Sequence, residues 1–167
     1  MLSNNSADST AKPQNAILLV SAHTREHDSL QNIFRGSRWQ LQGARTVSDG
    51  LKSIRRHHAE IPVVICQHSL PDGDWKHLLT QLDKMAVKPS LIVCSRLADE
   101  RLWAEVLNLG AFDLLLGAPF EPEEVLRVTA SAWSAWNRAA RPGGLSRLGL
   151  EPALNLADSG AMALGQI

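Results

Sequence analysis

The side chains able to do chemistry gather after short apolar runs. Gln67, His68 and Ser69 follow Ile61-Pro-Val-Val-Ile-Cys66. Ser21, Ala22 and His23 follow Ala16-Ile-Leu-Leu-Val20, and Ser95 ends Leu91-Ile-Val-Cys-Ser95. An unbroken apolar run of this length marks a strand buried on both faces, as in a parallel sheet covered by helices. The polar residues just beyond it then fall at the carboxyl ends of strands, where open α/β sheets place their sites. Ser21, Gln67, His68 and Ser95 would give such an edge neutral hydrogen-bonding groups. His23 and His68, with Asp72 and Asp74 in the next loop, raise the chemistry of a metal or acid/base site. Zinc needs three or four convergent ligands with support behind them, and two loop histidines do not by themselves supply a set. The residue reading therefore assigns no metal and no cofactor. Ser21-Ala-His-Thr-Arg25 lacks the glycines of a phosphate-binding loop, which argues against a nucleotide or flavin carrier, and no G-x-S-x-G elbow occurs. The chain is not expected to be an enzyme.

The elements that must position these residues alternate regularly. After the strand over 16–20, Leu30, Ile33 and Phe34 give a helical stripe over 24–35, and Gly36 suits its end. Residues 39–44 alternate like an edge strand. Thr46-Val-Ser-Asp49 has capping-box spacing and starts a helix burying Leu51 and Ile54, with His57 and His58 completing its last turn. Leu70-Pro-Asp-Gly73 forces a turn after the third strand. Trp75, Leu78, Leu79 and Leu82 form the next helical face. The fourth strand spans 90–95, and a helix over 98–109 is expected to bury Leu102, Val106 and Leu109. A fifth strand, 112–116, leads to Pro122, Glu123 and Glu124, a favourable start for a last helix reaching about residue 140. Strands alternating with helices predict an α/β fold: a parallel five-stranded sheet with helices on both faces, most simply the flavodoxin-like (βα)5 order 2-1-3-4-5.

The chain has 167 residues, 44% hydrophobic and 20% charged, with formal net charge +0. That is a globular composition, with no basic excess pointing to nucleic acid or anionic lipid. Residues 1–14 read as a disordered segment, 15–141 as the domain and 142–167 as a flexible tail. No signal peptide or membrane span is visible, so a cytoplasmic setting is expected. Cys66 and Cys94 read as buried thiols, with redox control as the alternative.

Apolar strand, one polar residue, two variable residues, then Leu70-Pro-Asp-Gly-Asp74 resembles the phosphoacceptor strand of response-regulator receiver domains. Gly110-Ala-Phe-Asp113 leading to Pro119-Phe-Glu-Pro-Glu-Glu124 resembles the same family's fifth strand and last helix. The resemblance spans about residues 15–140 and implies a cis Ala118–Pro119 bond. It also implies that Gln67 stands where the family carries the aspartate that takes the phosphoryl group. Ser21-Ala22 replaces the acidic pair that holds Mg²⁺, Gly117-Ala118 replaces the cation before the proline, and Ser95 keeps the hydroxyl of strand four. An amide has no anionic oxygen to attack phosphorus and is a poor ligand for a hard cation. On this resemblance the chain is a degenerate receiver, or pseudo-receiver, whose pocket of Ser21, Ala22, Gln67, His68, Ser95 and Ala118 does not accept phosphate. The implied role is a stand-alone signalling module of a bacterial two-component or phosphorelay system, binding a histidine kinase, an output protein or a second copy. The alternative is a ligand or metal sensor, or a small enzyme, reusing that pocket.

Five tryptophans occur without a tyrosine. Trp39 and Trp75 sit in core-like stripes. Trp103 on helix four, with Trp133 and Trp136 on helix five, are candidates for a partner interface, since receivers use these helices for dimerisation and output. Tryptophan is a typical interface anchor. The competing reading is that these indoles cap the core.

Overall fold

The computed structural model describes residues 15–57 and 61–141. The segments 1–14 and 142–167, expected to be flexible, and His58 lie outside the described residues.

In chain order the elements are β1 (Ala16–Val20), α1 (Thr24–Phe34), β2 (Gln40–Ala44), α2 (Val47–His57), β3 (Val63–Gln67), β4 (Ser69–Leu70), β5 (Gly73–Asp74), α3 (Trp75–Leu82), β6 (Ser90–Ser95), α4 (Glu100–Asn108), β7 (Asp113–Leu116) and α5 (Pro122–Ala140). The main sheet has five strands, all pairs parallel, in the order β2-β1-β3-β6-β7. The expected order 2-1-3-4-5 needs one correction. Leu70-Pro-Asp-Gly73 turns so tightly that Ser69–Leu70 and Gly73–Asp74 pair antiparallel, adding two short strands before the fourth sheet strand.

Two apolar layers lie on the sheet, as expected for strands that alternate side chains between faces. One gathers Leu18, Val64, Cys66 and Val93 with Ile54 of α2, Trp75 and Leu78 of α3, and Leu102 and Val106 of α4. The other gathers Ile17, Leu19, Ile65, Ile92 and Cys94 with Leu30 and Phe34 of α1 and Val125, Val128 and Ala132 of α5. Cys66 and Cys94 are both buried and free, and they belong to opposite layers, so the sheet itself stands between them.

Close approach explains several small residues. A β-carbon at Gly50 would come within 2.9 Å of Val20, so this glycine lets α2 settle on β1. Thr46 starts α2 as its spacing suggests, its hydroxyl accepting from the Asp49 amide at 3.0 Å. Helix α4 is shorter than expected. Asp99 caps it by accepting from the Leu102 amide at 2.7 Å, and it ends at Asn108. Gly110 then takes φ +97 and turns the chain away from the helix, and Leu109, expected in the core, is 49% exposed. Ala111 fills the end of that stripe. Ala118–Pro119 is cis. Among the described residues, no helix is long and apolar enough to cross a membrane.

Candidate functional site

The carboxyl ends of β1, β3 and β6 bring Ser21, Gln67 and Ser95 to one edge of the sheet. Ser21 is fully buried, and its amide donates to the Ala44 carbonyl at 3.0 Å. Its hydroxyl lies 2.5 Å from Glu26 Oε2 and 3.2 Å from Gln67 Oε1. One hydroxyl proton serves one acceptor at a time, and the shorter contact, to an ionised group, is the stronger. The Gln67 amide oxygen also accepts from the Ala22 amide at 3.4 Å, and the His23 amide donates to Ser21 Oγ at 3.1 Å. His27 completes the network. Its Nε2 is 2.7 Å from the Ser21 carbonyl, which can only accept, so Nε2 carries the proton. Gly43 makes room for that ring, because a β-carbon there would stand 2.8 Å from His27 Nδ1.

The centre of this network is Glu26, and the expected neutral pocket is corrected by it. Glu26 is 2% exposed. Its other oxygen faces Arg96 Nε at 3.6 Å, with the arginine side chain 49% exposed. Neither residue was singled out from sequence, although a signal existed. Glu26 precedes Leu30 by four residues and Phe34 by eight, so it occupies the buried stripe of α1. A charge on that stripe must find a partner inside the protein.

The other candidates disperse. Ser95 turns away from the network: its hydroxyl donates to the Leu97 carbonyl at 3.2 Å and accepts from the Leu97 amide at 3.3 Å. Ala118 is half-buried against the α1–α5 layer. At Gly117 any β-carbon would fall 2.1 Å from the Phe120 ring, so that ring holds the space a side chain would need. His68 is half-buried, and its amide donates to the Cys94 carbonyl at 2.8 Å, while His23 is exposed at the start of α1.

The two aspartates raised as metal candidates are helix caps. Asp72 accepts from the amides of Val47 and Ser48, at 2.7 and 2.9 Å, across the start of α2. Asp74 accepts from the His77 amide at 2.9 Å and caps α3. The Ser48 amide foremost, and that of Val47 with it, hold the Asp72 carboxyl below its ordinary range. Among the described residues no three histidines, cysteines or acids are placed to hold a metal. Burial pushes both thiols, Cys66 and Cys94, well above the ordinary cysteine range, which keeps them protonated and unreactive.

Trp103 and Trp133, two of the three candidate interface tryptophans, do not share a surface. Trp103 is 53% exposed. Glu105 pairs with Lys76 of α3, which marks the α3 side of α4, and Trp103 lies about 160° round from it. Leu116 of the edge strand β7 is 55% exposed and shares a sheet face with Leu114, the face α4 covers. Trp133 instead meets Trp39 edge to face at 6.2 Å, beside the opposite edge strand β2, with Arg38 over both rings at 4.6 and 5.1 Å. That contact places Trp133 against the core, as the competing reading had it. Trp136 is half-buried, and its shielded Nε1 has no hydrogen-bond partner among the described residues.

No protein-family model matches the chain, and no curated protein matches it. Solved structures do. The signal receiver domain of an HD domain-containing protein from Pseudomonas fluorescens Pf-5 is similar with a TM-score of 0.67 and 23% identity, covering 77% of this chain and 93% of that one. A response regulator receiver domain protein from Clostridium thermocellum gives 0.66 and 16%, covering 74% and 97%. A chain of the CheX–CheY–BeF3–Mg complex from Borrelia burgdorferi gives 0.64 and 20%, covering 71% and 89%. The five-stranded parallel sheet and its two helical layers are thus the fold of response-regulator receiver domains.

Proposed function

We propose that this chain is a receiver-like signalling module of a two-component or phosphorelay system that works by protein contact without accepting phosphate. The observation that carries the reading is Gln67 at the end of the central strand. Its amide oxygen accepts from Ala22 and lies beside Ser21, where the receiver resemblance puts a nucleophilic aspartate and its metal ligands. Attack on phosphorus needs an anionic oxygen, a cation to neutralise the transferred group, and alignment of both. Here the strand end is an amide, the metal-ligand positions are Ser21 and Ala22, and the residue before the cis proline is Ala118. Glu26 is anionic in type but is buried and engaged by Ser21 and Arg96.

Contact would run through the edge of the molecule at α4 and β7, where Leu97, Trp103 and Leu116 are exposed at 88%, 53% and 55%. Large apolar side chains grouped at a sheet edge favour a protein partner, a kinase or an output protein, over nucleic acid. Intact-mass measurement after acetyl phosphate and Mg²⁺ tests the first half: the mass stays unchanged, and an added phosphoryl group overturns the reading. Light scattering across concentration, for wild type and Trp103→Ala, tests the second. A dimer lost in the variant makes a second copy the occupant, and a monomer throughout leaves the edge to a different protein.

A further inference from the structure

We infer that Glu26 and Arg96 form a latch, tying the β6–α4 loop to helix α1 across the carboxyl edge of the sheet. Helix α1 packs on one face of the sheet and α4 on the other. Arg96 is the first residue after β6, and it reaches over the edge to Glu26 at 3.6 Å. Ser95 closes the turn to Leu97 from the other side, and Asp99 fixes where α4 begins. The loop so held carries Leu97, 88% exposed, and leads into the first turns of α4 with Trp103. The buried carboxylate is therefore the anchor and the half-exposed arginine the moving part.

The pair is asymmetric. Removing the arginine leaves a buried charge with the Ser21 hydroxyl alone, whereas making Glu26 neutral leaves an arginine head that water can solvate. The isosteric change Glu26→Gln keeps an acceptor for Ser21 and removes only the charge, so it is the cleaner release. The inference does not depend on whether the chain accepts phosphate, because its readout is the local opening of the loop.

The test is amide hydrogen exchange, followed by mass spectrometry, on the full chain as wild type, Glu26→Gln, Arg96→Ala and the double variant. Lys52→Ala, which breaks an exposed pair with Asp49 on α2, serves as control. The latch predicts that exchange over 96–103 rises about threefold to tenfold in Glu26→Gln and in the double variant, with β1 and β3 unchanged. The double variant should exceed Glu26→Gln by little, since either change opens the same contact. Loop exchange that is unchanged in Glu26→Gln overturns the latch. So does a rise spread evenly over the whole chain, which would make the pair a support of global stability. A rise over 96–103 in Lys52→Ala equal to that in Glu26→Gln overturns it as well.

Discussion

Gln67→Glu is the most informative single change, because it alters charge while keeping shape. Ser21 Oγ stands 2.5 Å from Glu26 Oε2 and 3.2 Å from Gln67 Oε1, so a carboxylate at position 67 would lie within about 6 Å of the buried one. Two unit charges at that separation repel by about 3 kcal/mol at an effective dielectric of about 20. Arg96 offsets part of this, so the expected loss is about 2–3 kcal/mol at neutral pH. Urea unfolding of the wild type and variant, read by far-UV circular dichroism, measures it. Adding Glu26→Gln should restore most of the loss at neutral pH, since one of the two charges is then gone. A Gln67→Glu protein within about 0.5 kcal/mol of wild type, or one that Glu26→Gln fails to rescue, would refute the electrostatic coupling of position 67 to Glu26.

Three further outcomes follow from the packing and the caps. Gly117→Ala sets a methyl against the buried Phe120 ring and should destabilise the chain by about 1–3 kcal/mol in the same unfolding assay, as overpacking does. Cys66 and Cys94 should not react with a thiol reagent at mildly alkaline pH until the chain is unfolded, when both react; prompt labelling of the native protein would contradict their burial. Asp72 has its carboxyl lowered in the folded state, so its contribution is present above the unfolded value of 3.8 and is lost as the pH falls below it. Asp72→Asn should accordingly flatten the decline of melting temperature with acidification in that range.

Much of this was legible in the residue pattern because it rests on short-range rules. The apolar runs fixed the sheet strands, and the i, i+3, i+4 spacing of Leu30 and Phe34, or of Trp75 and Leu78, identified the helices. The site was only half legible. The strand-end residues Ser21 and Gln67 could be placed, since a strand end is a local feature. Glu26 could not be given a role from its neighbours, because its partners Ser21 and Arg96 come together only when β1 and β6 lie in one sheet. The capping role of Asp72 was not legible for a similar reason: it caps a helix from a distant loop, a tertiary contact without a sequence spacing. Leu109 fits the helical period, but the period cannot reveal that the helix stops one residue earlier.

The stack of Arg38, Trp39 and Trp133 bears on how the chain assembles. It joins the start of β2 to the second half of the last helix, elements distant in the chain. Bringing residues so distant together carries a loop-closure entropy. The environment of Trp133 therefore reports when the β2 edge and the last helix have met.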